Sequence, residues 1–267
     1  MNKLKKNINL IKKKEIQNFW EHNPLCIKSN PFKPGILAFF NFYDRQREDI
    51  ESIPFSYKLH EYSKFKGKKI IDIGCGNGYV CSKYAIEGAR VYGVDLTKKA
   101  IKLSYKRFKY LGLKGNFKQA SAEKLPFPNN SFDCACSMGV LHHVKNTNKA
   151  LKEIFRILKP GGRLILMFYN KNSAKYQFRY RLKSLLTGKS MQELVNEFDG
   201  AENPLGKVFS KTELKKKLRL FSDIQMFTGY IDTGDIIPCG SRFLPHKLFK
   251  LLEKLLGWNL YVKAFKP

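Results

Sequence analysis

From Lys68 onward, apolar residues fall into short blocks separated by stretches with helical spacing. The apolar blocks predict buried strands over 69–73, 90–94, 116–119, 132–137 and 163–169. Between them, Tyr79–Glu87 reads as a helix stopped by Gly88. Thr97 reads as the N-cap of a helix running to about Leu111 and ended by Gly112. A further helix spans Thr147–Leu158 and is halted by Pro160-Gly161-Gly162. Strand–helix alternation of this kind implies a parallel sheet covered on both faces. Residues 170–209 interrupt it with helical stretches and the turn signals Gly188, Asp199-Gly200 and Asn203-Pro204. An insertion there is expected above the carboxyl ends of the strands, where open α/β sheets bind ligands. The pattern then predicts a helix over Lys211–Leu220, a strand over Asp223–Tyr230, an amphipathic basic helix over 242–256 and a closing strand over Trp258–Phe265. The chain therefore divides into a helical, aromatic-rich N-terminal extension, 1–66, and an α/β domain, 67–267, with the insertion 170–209. Pro24, Pro31, Pro34 and Gly35 break the extension, and Tyr43–Lys66 is expected to hold one or two helices interrupted at Pro54.

Composition narrows the class. Of the 267 residues, 43% are hydrophobic, enough for a buried core and against global disorder. No apolar run reaches the ~20 residues that a membrane-spanning helix needs. Met1–Lys14 lacks the apolar stretch and cleavage site of a secretory signal. The cysteines Cys26, Cys75, Cys81, Cys134, Cys136 and Cys239 are scattered. Cys134 and Cys136 share one strand face, which seldom permits a disulfide, so free thiols in a reducing cytoplasm are expected. No Cys/His cluster suggests a metal. The net charge of +28 comes from 50 basic and 22 acidic residues. Such an excess attracts nucleic acid, anionic lipid or acidic metabolites. Its even spread along the chain favours a lysine-biased composition over a nucleic-acid footprint. The basic helix 242–256 mixes Phe243, Leu244, Leu248, Leu251, Leu252 and Leu255 with Lys247, Lys250 and Lys254. It is suited to peripheral membrane contact or, more commonly, to packing against the domain.

The run Ile70-Ile71-Asp72-Ile73-Gly74-Cys75-Gly76-Asn77-Gly78 carries the strongest chemical signal. A strand ends in glycines and a helix follows at once, so the backbone can turn tightly and a ligand can approach the main chain. The G-x-G-x-G spacing is not that of a P-loop. Asp95 closes the second strand about 20 residues later, where an acid typically takes ribose hydroxyls. Its alternative is to cap the helix that follows.

Five ordered motifs then resemble the class I S-adenosylmethionine-dependent methyltransferases with a type 11 domain, the subgroup that includes quinone and small-metabolite methylases. They are Ile71–Gly78, Val91-Tyr92-Gly93-Val94-Asp95, Ala122–Phe127 with Ser131-Phe132-Asp133, Leu141-His142-His143-Val144, and Leu158–Gly162. Phe19-Trp20-Glu21-His22-Asn23-Pro24 is similar to a segment that caps the cofactor in some of these enzymes. The resemblance implies a doubly wound, Rossmann-like, mostly parallel sheet of seven strands and S-adenosyl-L-methionine as cofactor. It implies that Asp72, Gly74 and Gly76 lie by the methionine amino end, that Asp95 binds the ribose, that Leu96 packs on adenine, and that Ala122 offers it a backbone N–H. Cys75 and Gly78 in the loop, Glu123 beside Ala122, Ser137 at the fourth strand and Trp20 complete the candidate cofactor-binding positions. One position departs from the family pattern: Ser121 stands where an acid usually accepts from the adenine amino group.

The sulfonium already makes the methyl an electrophile, so the protein must align a nucleophile and, for a hydroxyl acceptor, take a proton. His142 and His143 are the candidate catalytic residues, and adjacent residues point in different directions, so one of them is expected to face the acceptor. His22 is a third candidate, though a surface histidine is the commoner outcome. Trp20, Phe19 and Tyr43 can wall the pocket, and Tyr169 and Asp199-Gly200 lie on the expected acceptor side. The function implied is methyl transfer to a small-molecule oxygen, nitrogen or carbon. The alternatives are an RNA methyltransferase using the basic surface, for which Pro238-Cys239 lies too far from the core motifs, and a non-catalytic cofactor-binding protein.

Overall fold

The computed structural model describes residues 13–23, 30–200, 202–231 and 245–267. Its strands are β1 (Lys69–Ile73), β2 (Arg90–Asp95), β3 (Gly115–Gln119), β4 (Phe132–Met138), β5 (Leu158–Tyr169), β6 (Ser222–Gly229) and β7 (Asn259–Phe265). They form one sheet of order β3-β2-β1-β4-β5-β7-β6. β1 to β5 pair in parallel, and β7 runs antiparallel between β5 and β6. Successive side chains of a strand point to opposite faces. Ile70, Cys134, Cys136 and Ile165 therefore join one buried cluster. Ile71, Ile73, Ala135, Leu164 and Leu166 join the other. Both faces are buried, which is why the central strands read as continuous apolar runs.

Helices α1 (Lys13–His22), α2 (Leu37–Ile50) and α3 (Ile53–His60) precede the sheet. α4 (Tyr79–Ile86), α5 (Lys98–Tyr110) and α6 (Thr147–Ile157) connect its parallel strands. Thr97 accepts from the Ala100 amide and caps α5. Pro54 does not interrupt a helix; it lies in the first turn of α3, where its missing N–H has no intrahelical partner to lose. The break falls at Glu51-Ser52 instead. Pro160-Gly161-Gly162 ends α6 but not the pairing: Leu158 pairs with Phe132 of β4, Gly161 donates to Lys266 O and Lys266 donates to Gly162 O, so β5 begins at Leu158, earlier than Arg163. Distant segments supply the partners that the local sequence cannot announce.

The insertion leaves and returns at one point, because Asn170 bridges to Phe209. Inside it lie a π-helical turn, Lys175–Arg179, then α7 (Tyr180–Thr187) and α8 (Met191–Glu197). Ser190 and Ser210 open α8 and α9 (Lys211–Lys217) with reciprocal capping boxes. The basic helix is α10 (His246–Leu256); residues 242–244, like Pro24, Cys26 and Pro238-Cys239, lie outside the described residues. Cys75, Cys81, Cys134 and Cys136 are free and buried. Among the described residues, no helix is long and apolar enough to cross a membrane.

Candidate functional site

The turn after β1 is built from glycines at positive φ: Gly74 at 79°, Gly76 at 55° and Gly78 at 81°. The Gly74 and Cys75 amides both donate to Val94 O, at 2.7 and 3.0 Å, which staples the turn to the end of β2. A Cβ at Gly74 would overlap the isopropyl group of Val140. At Gly76 the space is open, with nothing within 4 Å of such a Cβ. Gly76 has this open side toward a cavity at the carboxyl ends of β1, β2 and β4. Gly78 starts α4 and packs on Ser104 rather than on the cavity. The Cys75 thiol also turns inward, 3.6 Å from Ser104 Oγ.

Gly74, Asp95, Leu96, Ser121, Ala122 and Glu123 line the same cavity. The Asp95 carboxylate accepts from the Thr97 amide and hydroxyl through Oδ1, at 2.9 and 2.8 Å, and from the Gly76 amide through Oδ2, at 3.1 Å. It therefore holds Thr97, the cap of α5, in place and also faces the cavity. Burial raises its pKa, against these donors, which lower it. Ser121 Oγ accepts from the Glu123 amide at 3.3 Å, and Glu123 accepts from the Asn146 amide at 2.6 Å.

Two expected positions lie beneath the lining. Asp72 is 3% exposed; among the described residues its Oδ1 has no partner, its Oδ2 accepts from the Cys81 thiol at 3.8 Å, and the Cys136 thiol also faces the carboxyl. Burial pushes its carboxyl up to about 7. Ser137 is fully buried and donates to Ile73 O at 2.7 Å, joining β4 to β1.

The lid of the cavity is α1. Trp20 lines it together with Ile16, Phe39 and Tyr43. Phe19 packs on Trp20 edge-on and lies against Gly200 of the insertion. His22 is on the exposed side of α1, with Nδ1 2.8 Å from Asn18 O.

His143 lines the cavity and His142 does not. His143 meets the Trp20 ring edge-on at 4.9 Å. Its Nδ1 donates to Leu205 O at 2.7 Å, and its Nε2 stands 3.4 Å from Asp199 Oδ2. The Tyr169 hydroxyl donates to the other Asp199 oxygen at 2.9 Å. Burial lowers the His143 pKa, and Asp199 opposes that shift. His142 is fully buried, lies 3.9 Å from the Tyr169 ring by centroids, and among the described residues has no partner for either ring nitrogen. Burial holds its pKa well below the ordinary histidine range.

Two further residues shape the site and escape a motif-based reading. Glu21 reaches from α1 to the start of α5, where its carboxylate accepts from the Lys98 and Lys99 amides at 2.9 and 3.0 Å. Those amides are unpaired ends of α5, where negative charge is favoured. Arg107 is 2% exposed; it grips both Asp44 oxygens at 2.9 and 2.8 Å and donates to Asn77 O and Oδ1. One buried side chain thus ties α2 and the glycine turn to α5. Its signal in the sequence is a charged residue four positions after Leu103, on the buried stripe of α5. Glu21 leaves no such signal, since its partners lie 77 and 78 positions away.

Residues 71–166 match the family model described as a methyltransferase domain. Over 111 residues the chain is 36% identical to the ubiquinone/menaquinone biosynthesis C-methyltransferase of Cronobacter sakazakii, a match covering 40% of this chain and 44% of that protein. The chain thus spans less than half the length of the curated relatives it matches. A solved S-adenosylmethionine-dependent methyltransferase from Methanosarcina mazei is 26% identical, with a TM-score of 0.57 over 78% of this chain and 96% of that one. One from Thermotoga maritima is 18% identical, with a TM-score of 0.57 over 94% of this chain and 100% of that one, a likeness of fold.

Proposed function

We propose that this chain, whose residues 71–166 match a methyltransferase domain, transfers the methyl group of S-adenosylmethionine to a small-molecule acceptor. The observation that supports this most directly is the single cavity shared by the open face of Gly76, the Asp95 carboxylate and the Leu96 and Ala122 surfaces. A cradle that a Cβ would fill, beside a carboxylate and apolar faces, suits a nucleoside with a zwitterionic tail. In this reading Asp95 takes the ribose hydroxyls, Leu96 and Ala122 flank the adenine, and Gly74 and Gly76 present backbone to the amino-acid end. Asp72 acts from below, through the shape and polarity of the turn. When bound, the cofactor supplies an electrophilic methyl carbon.

The chain's own task is to exclude water and aim the acceptor. Trp20, Phe39 and Tyr43 give an aromatic wall that suits an apolar or aromatic acceptor, in keeping with the quinone chemistry in the name of the Cronobacter relative. His143 is the histidine placed to meet the acceptor. Its Nδ1 is held by Leu205 O and its Nε2 faces Asp199, so its role is to carry a proton jointly with Asp199 and to fix this wall.

Calorimetry with S-adenosylmethionine tests the first step. Binding that is lost in Asp95→Ala, followed by conversion to S-adenosylhomocysteine with phenolic or quinol acceptors, is the expected result. Absence of cofactor binding refutes the assignment. Turnover only on RNA refutes the small-molecule part.

A further inference from the structure

The insertion and the C-terminal helix each carry an unexpected surface. Leu182, Leu185 and Leu186 of α7 are 59, 83 and 77% exposed. At about 100° per residue they fall within an arc of about 100° on one side of the helix. In α10, Leu248, Leu251 and Leu255 are also exposed, within an arc of about 60°, while Phe249, Leu252 and Leu256 are half-buried. Each helix therefore turns a leucine face outward. Single exposed leucines are ordinary, but three on one face of each of two helices are not.

Both helices spring from one anchor. Trp258, two residues after α10, donates through Nε1 to the Tyr176 hydroxyl at 3.1 Å, and Tyr176 packs on Tyr180, the first residue of α7. Lys175 Nζ stands 3.9 Å from the Trp258 ring centroid. Trp258 also stacks on Tyr169 at the carboxyl end of β5, which is the cavity end of the sheet.

The charge around these faces selects the occupant. Arg179, Arg181 and Lys183 are exposed beside the α7 leucines, Lys171 and Lys189 are exposed but paired with Glu213 and Glu197, and residues 170–192 contain no acid. α10 adds Lys247, Lys250 and Lys254 against one acid, Glu253. A second copy of this chain would bring the same positive field to the contact, on molecules that each carry +28. A nucleic-acid backbone would satisfy the charge but would leave the leucines in water. An anionic lipid surface satisfies both, with leucines entering the headgroup–acyl boundary and basic side chains on the phosphates. We propose that α7 and α10 together dock the protein on an anionic membrane surface, with the carboxyl end of the sheet toward the bilayer.

The test is co-sedimentation of the full chain with phosphatidylcholine vesicles, with and without phosphatidylglycerol. Binding to the anionic vesicles is expected, falling as salt is raised. Leu182→Asp/Leu185→Asp/Leu186→Asp should weaken it about tenfold or more, since three apolar side chains leave the boundary, and Leu251→Asp/Leu255→Asp should act in the same direction. All five positions are exposed, so circular dichroism and cofactor binding should be unchanged in both variants. Failure to bind anionic vesicles overturns the proposal. So does binding that both variants retain in full, which would be charge alone. A dimer that the substitutions dissolve, or RNA binding that they abolish, overturns it in favour of those partners. None of these readouts depends on methyl transfer.

Discussion

Asp72→Asn should change how stability depends on pH, and in a direction opposite to that of an ordinary paired carboxylate. The native carboxyl is buried, one oxygen has no partner among the described residues, and its donors there are the Cys81 and Cys136 thiols alone. It titrates near 7 when folded and near 3.8 when free. Below 3.8 both states hold the proton, and the group's contribution is fully present. Between 3.8 and 7 the unfolded chain ionises while the folded chain does not, so stability falls as pH rises. Above 7 the loss is complete. The gap of about three pH units, at about 1.4 kcal/mol each, amounts to about 4 kcal/mol. The asparagine variant lacks this slope. It leaves amide hydrogens to satisfy, a pH-independent cost of about 1–3 kcal/mol. The two stability curves should therefore cross: the variant is the weaker protein at pH 4 and the stronger at pH 8. Urea unfolding at a series of pH values, without ligand, measures both curves. The difference between them should change by about 4 kcal/mol over that range. Parallel curves would refute the claim that Asp72 is buried without adequate donors.

The glycine turn offers a paired comparison: Gly76→Ala should cost about 1 kcal/mol of stability for its positive φ yet weaken cofactor binding about tenfold or more by calorimetry, because its Cβ enters the cavity. Gly74→Ala should instead cost about 3 kcal/mol in urea unfolding, because its Cβ meets Val140. Glu21→Gln keeps the shape of the α1–α5 contact but removes the charge, so cofactor affinity should fall about fivefold with little change in Tm. Arg107→Met should lower stability by about 3 kcal/mol, since it strands Asp44 and the Asn77 carbonyl; an unchanged urea midpoint would contradict the role assigned to Arg107.

The parts of this architecture that are written locally could be read from the chain. Runs that are buried on both faces, such as Ile70–Ile73 and Cys134–Ser137, declare strands by composition alone. Thr97 and the glycines at 74–78 declare a cap and a turn because a hydroxyl that can accept an amide, and the lack of a Cβ at positive φ, are properties of those residues alone. What escaped were facts decided by distant neighbours. β5 extends back to Leu158 because Leu158 pairs with Phe132 of β4 and Lys266, just past β7, bonds to Gly161 and Gly162. Asp72 belongs to a family motif, yet the side-chain alternation of β1 turns it under the turn, among thiols. The histidine pair illustrates the same limit. Adjacent positions must diverge, but only the packing of Trp20, Asp199 and Leu205 decides that His143 is the one at the cavity.

The thiols beneath the glycine turn offer a use of their own. Cys134 is pushed up to about 12 by burial, and burial holds Cys75, Cys81 and Cys136 well above the usual thiol range. None forms a thiolate while the sheet is closed, and alkylating reagents act on the thiolate. In a chain with Cys26 and Cys239 replaced, labelling would proceed only through opening events. The rate at each of the four positions would then clock how often β1, α4 and β4 come apart. Saturating the cavity with a ligand should slow that clock at Cys75, which sits in the turn itself, by the factor through which the ligand favours the closed form. The core beneath the site would thus serve as a built-in gauge of occupancy, readable by mass spectrometry without knowing the acceptor.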